Sequence, residues 1–189
     1  PMRLVWKSNL DQLMRLGRSP PNHSKNKLNI RFRVILLMAW AELNTDITKS
    51  EASCIVSAAN CVGVMGGGVA KAIKNEFPWC YPPYKIACIE GVLKPGSIFA
   101  VKLDVFPHMK YPQIIHLSTK NHWKGKSQLD WVDSGCQELR KFIEKHRLMS
   151  IAIPRLGCGL GGLDWDDVRP IMRRNFADMN CDIFVHNRE

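Results

Sequence analysis

Two clusters of glycine punctuate this 189-residue chain, and each stands where a strand hands over to a helix. The first lies in CIVSAANCVGVMGGGVAKAIKNEF, residues 54–77. An apolar strand at Cys54–Ala58 and then Asn60 lead to Gly63, Gly66, Gly67 and Gly68, and a helix follows. Glycine lets backbone approach a ligand closely, and the first N–H groups of a helix have no intrahelical acceptor. The combination is a phosphate cradle. The second cluster, Gly157-Cys158-Gly159-Leu160-Gly161-Gly162, follows the apolar strand Ile151–Pro154 and precedes a helix opened by Asp164. Two such loops point to a ligand with two phosphates, a nucleotide diphosphate for instance. The competing reading of each loop is a tight strand-to-helix turn that holds nothing.

Elements must exist to aim these loops. Val34–Met38 reads as a buried strand, Cys54–Ala58 as another, and Gly67–Phe77 as a helix stopped by Pro78. Trp79–Gly96 is rich in proline and aromatic residues and reads mostly as loop, with a short helix near Tyr84–Glu90. Ser97–Leu103 and Gln113–Leu117 read as strands. In Gln128–His146, Leu129, Val132, Cys136, Leu139, Phe142 and Ile143 recur at three- and four-residue spacing, which predicts an amphipathic helix with Ser127 as its cap. A strand at Ser150–Pro154, a helix at Asp164–Ala177 and a strand at Asp182–His186 complete the series. Apolar, non-alternating strands separated by helices predict an α/β fold whose sheet is buried on both faces. Ligands of such sheets collect beyond the carboxyl ends of the strands, where both glycine loops fall.

Composition agrees with one soluble domain: 46% hydrophobic and 23% charged residues. The longest apolar run, Val34–Ala41, is too short to span a bilayer, and it does not read as a secretory signal. No membrane association is expected. Seven scattered cysteines without a CxxC argue against a zinc or redox motif and for a reducing, cytoplasmic setting. No metal and no cofactor are expected. The net charge of +10 is uneven. Residues 1–33 hold eight Lys and Arg against Asp11, or +7, which leaves +3 for residues 34–189. This basic N-terminal extension is either a contact for nucleic acid or a solvated extension, and its apolar residues could instead form a short packed helix. The domain proper is taken as 34–189.

Three segments together resemble the macro domain, a three-layer α/β/α module with a central mixed sheet that binds ADP-ribose. The resemblance covers residues 34–186. LNTDITKSEASCIVSAAN (43–60) is similar to that family's opening segment, PRLGCGLGGLDW (154–165) to its second phosphate loop, and IIHLSTKNHWKGKS (114–127) to a catalytic loop. The resemblance implies that Asp46, with Ile47 beside it, reads adenine. A carboxylate suits an exocyclic amine, although Asp in this position is also an ordinary turn cap. Asn60 would orient the distal ribose through an amide that both donates and accepts, or else shape an Asx turn. Gly66, Gly67, Gly68 and Val69 in the first loop, and Gly157, Cys158, Gly159, Leu160, Gly161 and Gly162 in the second, would hold the diphosphate, with Thr119 alongside.

The Ser-Thr-Lys-Asn-His-Trp-Lys core is similar to the branch that contains terminal ADP-ribose glycohydrolase and the DNA-ADP-ribosyl glycohydrolase antitoxins. The resemblance makes Lys120 the catalytic residue, since a lysine with a lowered pKa can act as nucleophile or acid/base. A phosphate-binding surface lysine is the plainer alternative. His122 could shuttle a proton or be structural, and Trp123 could stack on a base or plug the loop. Lys124 and Lys126 add charge for an anionic polymer. One departure matters: the protein-directed enzyme of this branch carries an aspartate two residues after Gly-Cys-Gly, where this chain has Gly161. Asp164 fits a helix cap instead. The pattern therefore matches the antitoxin type. What the resemblance implies is an ADP-ribosyl glycohydrolase acting on ADP-ribosylated substrate, most of all a DNA base, opposite a cognate ADP-ribosyltransferase toxin. The other readings are a non-catalytic ADP-ribose reader and a hydrolase of a small derivative such as the 1″-phosphate or O-acetyl ester.

Overall fold

A six-stranded sheet runs through the molecule in the order β1-β6-β5-β2-β4-β3. The structure, a computed structural model, describes residues 40–102 and 112–188, all within the unit Leu37–Glu189. The strands are β1 (Trp40–Asp46), β2 (Cys54–Asn60), β3 (Ile98–Val101), β4 (Gln113–Lys120), β5 (Ser150–Pro154) and β6 (Asp182–Arg188). The helices are α1 (Gly68–Glu76), α2 (Tyr81–Ile89), α3 (Leu129–His146) and α4 (Trp165–Phe176). Short 3₁₀ turns occupy Ile47–Lys49 and Pro78–Cys80. All pairings are parallel except β3 with β4, so the sheet is mixed, as expected.

The strand side chains divide between two helical layers with period two. Cys54, Val56, Ile115, Leu117, Ile151 and Ile153 pack with Val132, Cys136 and Leu139 of α3 and Val168 and Met172 of α4. Ile55, Ala59, Ile114 and Ala152 pack on the opposite face with Ile73 of α1 and Tyr84 and Ala87 of α2. The strands bury both faces, which is why their sequences do not alternate. At Gly135, α3 lies tight against β4: a methyl there would lie 2.6 Å from Leu117 Cδ2.

Several boundaries differ from expectation. The expected strand at Val34–Met38 and the extension 1–33 lie outside the described residues, and the first described strand is Trp40–Asp46. Trp79–Gly96 is not mainly loop: α2 begins at Tyr81, with Pro82 and Pro83 in its first turn, where the missing N–H groups have no acceptor to lose. Strand β4 runs three residues past Leu117. Ser118 and Thr119 are buried although polar, and the hydrophobic pattern hides that continuation. Ser127 does not cap α3: the N-cap is Gln128, without a side-chain bond. Ser127 instead donates its backbone N–H to Gly161 O at 3.0 Å, tying the second glycine loop to the start of α3. No helix among the described residues is long and apolar enough to cross a membrane.

Candidate functional site

The carboxyl ends of β2, β4, β5 and β6 open into one cavity of about 750 Å³. That volume suits a ligand of cofactor size. Its wall brings together Ile47, Asn60, Gly66, Gly67, Gly68, Val69, Thr119, Lys120, Gly157, Cys158, Gly159, Leu160 and Gly161. Asp46 and Gly162 are not on that wall. Asp46 is exposed at the end of β1, and its Oδ1 accepts from Thr48 N and Thr48 Oγ1, both at 2.9 Å, so it caps the turn that carries Ile47 into the cavity. Gly162, at φ +75°, turns the chain away and donates its N–H to Gly159 O at 3.0 Å.

The first loop leaves main-chain donors facing the cavity. Helix α1 starts with Gly67 as an extended N-cap; no side chain caps it, and its first turn holds no acid. The N–H groups of Gly68, Val69 and Ala70 therefore lack intrahelical acceptors, and all three residues line the wall. The loop hangs from Asn60. The Asn60 Oδ1 atom accepts from Val62 N at 3.1 Å and Val64 N at 3.3 Å, and Nδ2 donates to Val64 O at 2.7 Å. The amide expected to orient a ribose is thus engaged in shaping the loop, because the same donor and acceptor satisfy the nearer backbone. Beneath it, the Tyr84 hydroxyl donates to Asn60 O at 2.7 Å. The Tyr84 ring stacks on His116 at 4.3 Å. Burial pushes the His116 pKa down to about 4, so this imidazole is neutral.

The second loop is built differently. Helix α4 is capped by its own Asp164, whose Oδ1 accepts from Asp166 N at 2.9 Å, and Asp166 and Asp167 fill its first turn. That helix end is closed to anions, which corrects the expectation of a second helix-terminus cradle. The donors here are loop amides. Among the described residues, no protein acceptor takes the N–H groups of Gly159, Leu160 or Gly161.

Lys120 closes the strand end between the two loops. Its Nζ donates to Leu160 O in the second loop. Partial burial lowers its pKa from the usual lysine value, which favours a neutral amine. Three residues on, Trp123 also lines the wall and is 48% exposed. His122 is exposed, and its Nδ1 accepts from Lys124 N at 3.3 Å within the same turn.

Sequence reading missed Arg155, His186 and Asn187, which all line the wall. Arg155 follows β5 directly, and its guanidinium lies 4.9 Å from the Trp165 ring centre, a cation held near the second loop. His186 belongs to β6; its Nδ1 lies 3.2 Å from Thr45 O and 3.1 Å from Thr45 Oγ1. Burial lowers its pKa. Each sits at the carboxyl end of a parallel strand, where ligands of such sheets collect.

Comparison with known proteins agrees with this geometry. A sequence profile of the macro domain matches residues 56–172. The DNA ADP-ribosyl glycohydrolase of Mycobacterium tuberculosis is 37% identical over 123 residues, which make up 65% of this chain and 34% of that protein. A DNA ADP-ribosyl transferase-DNA ADP-ribosyl glycohydrolase fusion protein of Thermosipho africanus is 32% identical over 154 residues, 75% of this chain and 40% of the fusion. The chain thus spans about a third of the length of the curated relatives it matches. In structure, the macrodomain of Mycobacterium tuberculosis DarG superposes with a TM-score of 0.74 at 32% identity, over 79% of this chain and 97% of that one. The profile covers more than half of the chain, and the chain belongs to the macro domain family.

Proposed function

We propose that this protein is an ADP-ribosyl glycohydrolase that removes ADP-ribose from a modified DNA base. The observation that carries the reading is Lys120: a partly buried primary amine at the strand end between two loops of unpaired main-chain donors. A diphosphate lying along those donors sets the distal ribose beside the amine. Unprotonated Nζ then leaves Leu160 O and bonds to the anomeric carbon. The bond from that carbon to the base nitrogen breaks, and the base leaves with its electron pair and takes a proton. Water next cleaves the sugar–lysine bond, releasing ADP-ribose and restoring the amine. Thr119 and the two loops position the ligand, and Ile47 lines the adenine end, with Asp46 beside it.

The relatives named DNA ADP-ribosyl glycohydrolase support DNA as the carrier, and the Thermosipho fusion supports a transferase of the opposite activity as the functional counterpart. We place the reaction in the cytoplasm, where the seven cysteines, none of them in a disulfide, remain reduced. Residues 1–33 add charge for gripping the nucleic acid.

The test is incubation with an oligonucleotide ADP-ribosylated on a base. Wild type releases ADP-ribose, and Lys120→Ala slows release by about a hundredfold or more while still binding ADP-ribose. Binding without release by either protein would make the chain a reader. Release only from ADP-ribose 1″-phosphate or an O-acetyl ester would make it a small-molecule hydrolase. Because Lys120 acts as a free amine, the rate climbs with pH and levels off below the ordinary lysine value of 10.5.

A further inference from the structure

We propose that Trp123 is the platform on which the ADP-ribosylated nucleobase stacks, which makes it the residue that tells a DNA carrier from other carriers. This inference rests on the glycohydrolase reading above. The base is the leaving group, so it projects from the anomeric carbon that Lys120 addresses. The indole shares the cavity wall with Lys120 and stands three residues beyond it in sequence. Among the described residues it is the one aromatic side chain left about half open, at 48%. Burial normally claims an indole, and this one instead edges an anion-binding cavity.

The turn presenting it is fixed at several points. Cys61 N donates to Asn121 O at 3.1 Å, Gly125 N to His122 O at 3.0 Å, and Lys124 N to His122 Nδ1 at 3.3 Å. The His122 ring lies 5.6 Å from the indole, and Lys124 Nζ lies 5.1 Å from the indole centre. These hydrogen bonds hold the backbone of the turn that carries the indole. Lys124, on a flexible stem, can move from the indole to a flanking phosphate. An indole face favours any nucleobase and offers far less to a carboxylate-linked peptide.

Binding to a fluorescent ADP-ribosylated single-stranded oligonucleotide and to free ADP-ribose tests this. Both are measured in the Lys120→Ala background so that the oligonucleotide survives. Trp123→Ala should weaken oligonucleotide binding by about tenfold or more beyond its effect on free ADP-ribose, the scale of one base–aromatic stack. Trp123→Phe should restore most of the loss, and Trp123→Leu should not. Equal losses on the two ligands would overturn the inference, because the indole would then belong to the ADP-ribose pocket. Rescue by leucine equal to that by phenylalanine would overturn it as well. Failure of wild type to release ADP-ribose would defeat the glycohydrolase reading alone, since stacking is read from binding.

Discussion

The two glycine loops look alike in sequence and are built for different reasons. In the first loop, a methyl placed on Gly66 meets only Val64 Cγ1 at 3.7 Å, and one on Gly67 meets the tip of exposed Leu160 at 2.8 Å. Little in the folded chain needs Gly66 and Gly67 to be glycine, although Gly63 and Gly68 of the same loop, at φ +75° and +51°, hold backbone that favours it. In the second loop, a methyl on Gly157 would lie 2.8 Å from Leu163 Cδ1 and 2.9 Å from Ser127 Cβ, at φ +74°. One on Gly161 would overlap Gly157 O and Ser127 Oγ. The chain needs these glycines in order to fold. The helix ends match this contrast: α1 is uncapped and open, whereas α4 is capped and acidic. One loop ends in an open helix terminus, the other is a tightly folded turn with N–H groups that no protein acceptor takes among the described residues.

Substitutions should separate the two. Gly161→Ala carries the largest expected effect, a loss of ~4 kcal/mol of unfolding free energy, because backbone rather than a side-chain tip must move. Urea titration reads it, and a variant as stable as wild type would break the division of labour.

Acid should act through the support of the first loop. Folding holds His116 neutral, with its pKa lowered from 6.5 to about 4. Between those values the unfolded chain binds the proton and the folded one does not, so the contribution is fully present above pH 6.5 and falls as pH drops toward 4. The difference amounts to ~3 kcal/mol. Unfolding measured across that window should show the slope, and His116→Gln should flatten it.

Gly66→Ala should leave stability within ~0.5 kcal/mol yet weaken ADP-ribose binding by about tenfold, a dissociation that calorimetry beside a melt would detect. A parallel fall in both would return the first loop to the structural class of the second. The smallest effect belongs to Leu160→Ala. This side chain is 73% exposed and lies over Gly67, so stability should hold within ~0.5 kcal/mol and ADP-ribose should dissociate only a few times faster.

Much of the site was legible because its parts are local. Gly66 to Gly68 and Gly157 to Gly161 declare themselves as turns between a strand and a helix, whereas Thr119 and Lys120 are pointed out only by the resemblance of residues 114–127 to a family loop. Both layers of the core follow from strands without alternation and from the spacing of Leu129 to Ile143 in α3. Proline count misled over α2, because first-turn prolines favour a helix.

Local sequence thus determined the loops, the helices and the central strands, since glycine conformation and hydrophobic period act within a few residues. Only the tertiary structure decided who shares the cavity. Arg155, His186 and Asn187 reach it because parallel pairing sets β5 beside β2 and β6 beside β5, a placement no spacing encodes. Tertiary contact also decided what each polar group is left to do. Asn60 is taken by Val64 and Asp46 by Thr48, because nearby backbone claims a donor or acceptor, whereas the Ser127 hydroxyl is buried without a hydrogen-bond partner among the described residues.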